Sequence, residues 1–272
     1  MDAGKHFQFV EKRISPEEAF TRIISGISSL QKELPPYYIT ENESIYNDDC
    51  LEVLSRIPED SIDMIFADPP YMLSNNGFTC QNGRMVNVNK GKWDKSNGFE
   101  NDIIFHNEWI AACRRILKPE GTIWISGTYH SIYQCGYLLQ KNDFHILNDI
   151  AWFKPNASPN LSCRFFTASH ETLLWARKDK KAKYTFNYEH MKHGNFPEDK
   201  LKKENMQMRS VWSIPTTPKQ EKEYGKHPTQ KPVSLLTRIV TASTKPGDIV
   251  LDPFNGGGQP ELPVKAQEKD IT

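Results

Sequence analysis

Two short segments carry the residue types with which a chain could act on the amino group of a flat heterocycle. Asp68-Pro69-Pro70-Tyr71 follows the apolar run Ile62-Asp63-Met64-Ile65-Phe66-Ala67, which reads as a buried strand. Asp252-Pro253-Phe254-Asn255-Gly256-Gly257-Gly258 follows a second such run, Asp248-Ile249-Val250-Leu251. An exocyclic amine is a poor nucleophile because its lone pair is delocalised into the ring, so a site must accept its hydrogen bonds and aim it at an electrophile. Asp68 offers a carboxylate, Pro69 a carbonyl and Tyr71 a ring to stack on the base, which has to leave its duplex first. The second turn suits a nucleoside-bearing cofactor, because open α/β sheets bind ligands at the carboxyl ends of strands and glycines admit close approach. Phe254 either packs on an adenine or fills the core. The plainer readings are a proline turn that ends a strand and a glycine loop that is only a loop; the pairing of the two favours a site.

Other polar clusters carry less. Lys226 to Pro232 (Lys-His-Pro-Thr-Gln-Lys-Pro) opens the helix that leads into the second turn, and an ordinary proline-initiated helix start explains it equally well. His190 and His193 have a ligand-like spacing, but no cysteine or carboxylate pattern accompanies them, so no metal site is expected. The five cysteines (Cys50, Cys80, Cys113, Cys135, Cys163) form no Cys-x-x-Cys pair and read as reduced packing residues. Arg177 to Lys183 holds five Lys/Arg, which would suit either phosphate contact or a solvated charge run.

The elements that must position the two turns follow from periodicity. Ser15-Pro16-Glu17-Glu18 is a capping box ahead of apolar residues at helical spacing, so a helical N-terminal extension is expected over 1–40. Ser44 to Tyr46 reads as a strand, Cys50 to Ile57 as a helix and Ile62 to Ala67 as a strand, the start of a βαβ pattern with a largely parallel sheet. Residues 72–100 read as a long loop beside Asp68. A helix over Asp102 to Leu117 should stop at Lys118-Pro119-Glu120-Gly121, before a strand from Thr122 to Ser126. A helix over Ser131 to Gln140, strands over Phe144 to Trp152 and Glu171 to Ala176, and a helix over Pro232 to Ser243 complete the expected domain at 41–258, with an insertion at about 155–225.

The chain of 272 residues, 38% hydrophobic and 25% charged, is long enough for one large α/β domain. No apolar run approaches the roughly 18 residues of a membrane span, and the first residues lack a signal-peptide core, so a cytoplasmic protein without membrane contact is expected. Formal net charge is zero, yet Arg177 to Lys203 carries nine Lys/Arg against four Asp/Glu, so local binding of nucleic acid is not opposed by composition.

The motifs and their order resemble the β class of amino-directed DNA methyltransferases, which use S-adenosylmethionine and in which the catalytic turn precedes the cofactor turn. The match runs from about Ser44 to Gly258. It implies a Rossmann-like α/β methyltransferase sheet in circularly permuted order, with Asp68, Pro69, Pro70 and Tyr71 catalytic. By the same resemblance Asp49, Cys50, Asp68, Thr229, Gln230, Lys231, Asp252, Phe254, Asn255, Gly256 and Gly258 bind the cofactor, with Asp49 at a strand end facing its adenine. An aspartate at the head of the catalytic turn goes mainly with adenine N6 in that family and a serine mainly with cytosine N4. Residues 156–161 and 164–175 look most like the adenine enzymes of DpnII-type restriction-modification systems. Those enzymes act on GATC, some on single-stranded DNA, and pair functionally with a restriction endonuclease; a homodimer is compatible with the resemblance. The alternatives are a cytosine-N4 enzyme and a non-catalytic DNA-binding remnant. A protein-glutamine methyltransferase has Asn at the head of its turn and the opposite motif order.

The resemblance ends after Gly258. Family members continue with Thr-Thr-Gly-(Ile/Val)-Ala and a helix, whereas Gln259-Pro260-Glu261-Leu262-Pro263 carries two prolines that fit a helix badly. Read one base earlier, the codons from Gln259 onward permit Thr-Thr-Gly-Ile-Ala-Cys-Lys. The expectation is therefore a frameshifted tail over 259–272, a sheet incomplete at the C-terminus with unpaired edges, and weak cofactor binding unless a second polypeptide completes it.

Overall fold

Alternation of side chains in two central strands sets the layering. β3 (Ile62–Ala67) and β6 (Leu117–Gly127) run parallel, with Ile65 opposite Ile123 and Ala67 opposite Ile125. Those four residues pack on one face against Leu54, Trp109, Ile110 and Leu138. These come from α1 (Cys50–Arg56), α2 (Phe99–Ile116) and α3 (Ile132–Lys141). Met64, Phe66 and Trp124 point to the other face and meet Trp175, Trp212, Leu235 and Ile239, so helices cover both sides of a sheet buried in the middle. Trp124 and Trp175 stack there, with centroids 4.9 Å apart, and the Trp124 indole N–H donates to Ser243 Oγ at 3.0 Å.

The computed structural model describes residues 35–40, 42–73, 78–81, 84–87, 94–194, 196, 199, 203, 205–222 and 229–255. The expected N-terminal helix and the 259–272 tail lie outside these residues, as do Gly256, Gly257, Gly258 and Lys226 to Pro228.

The main sheet has the order β10-β3-β6-β8-β7-β9, where β7 is His145–Phe153, β8 His170–Arg177, β9 Val211–Ser213 and β10 Val250–Leu251. β8 is antiparallel to both neighbours and the other strands share one direction, so the sheet is mixed but mostly co-directional. α5 (Val233–Ser243) buries Leu235, Ile239 and Val240 on the tryptophan face. Within 155–225, β8 runs through the sheet interior and β9 forms its edge. α4 (Tyr188–His193) follows Asn187, whose side-chain amide donates to the Thr241 and Thr244 carbonyls at 2.7 Å each. Arg238 reaches Asp199 at 2.8 Å.

Three expectations are corrected. Ser44–Ile45 (β2) pairs antiparallel with Tyr38–Ile39 (β1) in a separate small sheet, so this strand does not open the βαβ pattern of the main sheet. The stretch 72–100 contains an antiparallel pair, β4 (Phe78–Gln81) and β5 (Arg84–Asn87), separated by the Asn82-Gly83 interval whose sequence favours two-residue hairpins. The helix stops at Ile116 as expected, but Lys118 to Gly121 is not a turn ahead of the strand: Ile62 pairs with Leu117 and Met64 with Thr122, so these residues bulge from within β6, which starts at Leu117. A Cβ on Gly121 would lie 2.7 Å from Leu117 Cδ2 and 2.9 Å from the Lys118 carbonyl, which explains the glycine there.

Candidate active site

β3 and β10 lie side by side and parallel, with Leu251 opposite Ile65, so their carboxyl ends deliver Asp252 and Asp68 to one rim. The two turns therefore converge. Lys231, just ahead of α5, sends its ammonium to Asp68 Oδ2 at 2.6 Å and lies 3.8 Å from Glu171 Oε2. The other Asp68 oxygen, Oδ1, accepts from the Tyr71 hydroxyl at 2.7 Å. That hydroxyl also meets Ser126 Oγ at 2.8 Å and Glu171 Oε2 at 3.1 Å. A phenol has one hydrogen, so it donates to one carboxylate at a time and the Ser126 hydroxyl serves as its donor. Lys154 pairs with the second Glu171 oxygen.

Burial and charge tune these groups. Burial raises the Tyr71 phenol well above its ordinary value, and the Asp68 and Glu171 charges push the same way. Burial alone would lower Lys231, but Asp68 and Glu171 outweigh it and the ammonium is held above its usual range. Burial would likewise raise Glu171, yet Lys231 and Lys154 keep it below the ordinary carboxylate value. Asp252 is pushed up to about 7, first by burial and further by the neighbouring Asp68, against the Phe254 backbone N–H that it accepts at 2.9 Å. Among the described residues the cluster holds three carboxylates (Asp68, Glu171, Asp252) and two ammonium groups (Lys154, Lys231), so ionising Asp252 leaves one negative charge in excess among them.

A buried carboxylate shapes the catalytic turn itself. Asp94, 1% exposed, accepts from the Tyr71 backbone N–H at 3.0 Å with Oδ1 and from the Leu73 N–H at 3.2 Å with Oδ2. Met72 between them adopts φ +57°, an uncommon left-handed conformation for this residue type. The two bonds hold the chain through that bend.

The remaining expected residues are placed as follows. Pro69 is buried and Pro70 half-buried. Tyr71 is 5% exposed with the Lys231 ammonium 5.1 Å over its ring, so the ring is an enclosed strut rather than an open stacking surface; its hydroxyl partners and Lys231 account for that. Phe254 packs edge-on against Trp109 at 5.3 Å and Phe105 at 6.3 Å on α2. Asp49 caps α1, with Oδ1 accepting from the Leu51 and Glu52 N–H groups at 2.9 and 3.4 Å, and does not end a strand of the main sheet. Cys50 begins that helix, its thiol pushed up to about 11 by burial and then by Asp49. The Gln230 side chain donates to the Glu221 carbonyl while the Gln230 backbone carbonyl accepts from the Thr217 hydroxyl; Thr229 is half-buried beside it and Asn255 is exposed. The basic run sits elsewhere: β8 runs downward, Arg177 pairs with Thr122, and 177–183 therefore lies at the rim opposite Asp68.

Ser126, Glu171, Lys154 and Asp94 were not singled out in the sequence. For the first three the signal is a polar residue at the end of an apolar strand, legible only once β6, β7 and β8 are known to be neighbours.

A family model described as DNA methylase, of the N6/N4 type, matches residues 62–260. The chain belongs to this family. This methylase is 50% identical over 224 residues to the type II methyltransferase M2.LlaDCHI of Lactococcus lactis subsp. cremoris, spanning 82% of this chain and 80% of the relative. It is 48% identical over 227 residues to M2.MboI of Moraxella bovis (83% and 80%). Its identity to M2.DpnII of Streptococcus pneumoniae is 50% over 224 residues (82% and 81%). Among solved structures it is similar to an M1.HpyAVI–SAM complex, with a TM-score of 0.51, 25% identity, and 76% and 79% of the two chains covered. The cytosine-N4-specific PvuII DNA methyltransferase shares the fold, with a TM-score of 0.58, 18% identity, and 80% and 76% covered. No described helix is long and apolar enough to cross a membrane.

Proposed function

We propose that this methylase transfers the methyl group of S-adenosylmethionine to adenine N6 in DNA, at GATC as in DpnII-type restriction-modification systems. The observation that carries the reading is the convergence of Asp68 and Asp252 on one rim around Lys231. The cluster's Asp252 carboxylate suits a cationic sulfonium ligand, with Asp252, Phe254 and Asn255 on the cofactor side and Gly256 and Gly258 assigned to it from the motif alone. Thr229, Gln230 and Lys231 lead into it, and Asp49 and Cys50 head the helix that packs on α2. When bound, that cofactor supplies an electrophilic methyl group.

The chain's own residues do the rest. Asp68 and the Pro69 carbonyl accept hydrogen bonds from the target amine, drawing its nitrogen out of conjugation. Lys231 and Tyr71 fix the Asp68 carboxylate from both sides so that it does not reorganise as charge develops. Asp68 is also the base within reach of the proton that the amine sheds.

Incubation with labelled cofactor and GATC oligonucleotides, single- and double-stranded, followed by nucleoside analysis, tests this. N6-methyl-2′-deoxyadenosine is expected. N4-methylcytosine would replace the adenine assignment, and no transfer to either form would remove the enzymatic one.

A further inference from the structure

The enclosure of Tyr71 raises the question of which aromatic surface meets DNA at this rim. The connection from β7 to β8, residues 154–169, leaves and re-enters the sheet beside the site: Lys154 at its start and Glu171 just past its end belong to the Tyr71 network. Its base is closed by the Lys154 N–H donating to the Ser169 carbonyl at 2.7 Å, and Asn156 exchanges two hydrogen bonds with Thr216 at 2.9 and 3.0 Å. Its tip is ordered from within. Asn160 donates to Thr167 Oγ1 at 3.2 Å and, through its side chain, to the Phe165 carbonyl at 2.7 Å, and Cys163 takes φ +53°. On this ordered tip Phe165 is 68% exposed and Phe166 96% exposed, with exposed Arg164 before them.

A tip braced by its own hydrogen bonds that shows two adjacent phenylalanines to water is matched to an apolar partner. Beside a site that acts on an extruded base, the flat apolar partner is the stack that the base leaves. We infer that Phe165 and Phe166 form a wedge that enters the DNA duplex at the target step, fills the space of the departing adenine and holds it out, with Arg164 on the adjacent phosphates. This rests on the proposed function and extends it from the reacting atom to the duplex.

The test is methylation by the full chain and by Phe165→Ala and Phe166→Ala, each on three GATC oligonucleotides: duplex, single strand, and duplex with an abasic site opposite the target adenine. The expected result is a fall of at least tenfold in the duplex-to-single-strand rate ratio, restored largely by the abasic substrate, which needs no help in extrusion. Thermal melting of the variants should match the parent, because both side chains face water. An active parent enzyme whose variants keep an unchanged ratio overturns the wedge alone, as does a change confined to oligomeric state, which would make the tip a contact between copies. A parent chain inactive on every substrate removes the proposed function and the wedge with it.

Discussion

Lys231 Nζ stands 2.6 Å from Asp68 Oδ2 although 163 residues separate the two in sequence. Both are shielded from water, so each is the other's neutraliser, and the pair ties the segment leading into α5 to the end of β3.

Replacing Lys231 by Met therefore leaves a carboxylate pair, Asp68 and Glu171, without its shared cation. Breaking a buried pair from one side costs about 3–5 kcal/mol, so a drop of several degrees or more in melting temperature is expected. Transfer should fall by more than about tenfold, since each 1.4 kcal/mol of lost positioning is a factor of ten. Lys231→Arg should not restore it, because the 7% exposed site is fitted to a compact ammonium. Melting curves alongside initial rates decide the matter; normal rates in the Met variant would show that Asp68 needs no partner.

Tyr71→Phe keeps the ring and deletes the hydroxyl that meets Asp68, Ser126 and Glu171. If the ring alone mattered, the variant would be close to the parent. The enclosed geometry argues otherwise: leaving buried partners unsatisfied costs roughly 1–3 kcal/mol. A lowered kcat with KM for DNA little changed is expected from steady-state kinetics.

The α/β layers, the parallel run of β3 and β6, and the two acidic turns were legible in the sequence, because buried strands write themselves as apolar runs and Asp-Pro turns punctuate them, whereas the antiparallel placement of β8 beside β6 was not. The pairing of Ser44–Ile45 with Tyr38–Ile39 was not, since two-residue strands leave no period to read. The bulge of Lys118 to Gly121 read as a turn between helix and strand because proline and glycine look alike in a turn and in a bulge. At the site, Asp68 and Asp252 were readable from their own motifs. Glu171, Ser126 and Asp94 were not, since their significance lies in neighbours brought from other strands and loops.

Asp94 makes a separable prediction. Its two oxygens take the Tyr71 and Leu73 N–H groups across the strained Met72. Hydrogen bonds to a charged acceptor contribute about 1.5–3 kcal/mol each. Asp94→Asn retains one acceptor oxygen and should lose part of the activity, whereas Asp94→Ala should lose most of it, at least about tenfold more by the same figure. Equal activity in the two variants, measured as kcat at saturating cofactor, would mean that the turn holds its shape unaided.

Asp252 gives the pH dependence. Its folded-state value of about 7 lies above the ordinary 3.8, so between those values the folded chain holds a proton that the unfolded chain has released. Stability from this group is thus greatest toward the acidic end of that window and declines as pH rises through 7. A cationic ligand beside it reverses the preference, because the ionised carboxylate is what attracts the charge. Affinity for S-adenosylmethionine should therefore strengthen between pH 6 and 8 with a midpoint near 7, with proton release on binding below the midpoint. Titration calorimetry in two buffers of different ionisation enthalpy reads that release directly. Asp252→Asn should bind more weakly at pH 8 and show a flat profile across the window; a profile of unchanged slope in that variant would assign the titration to another group.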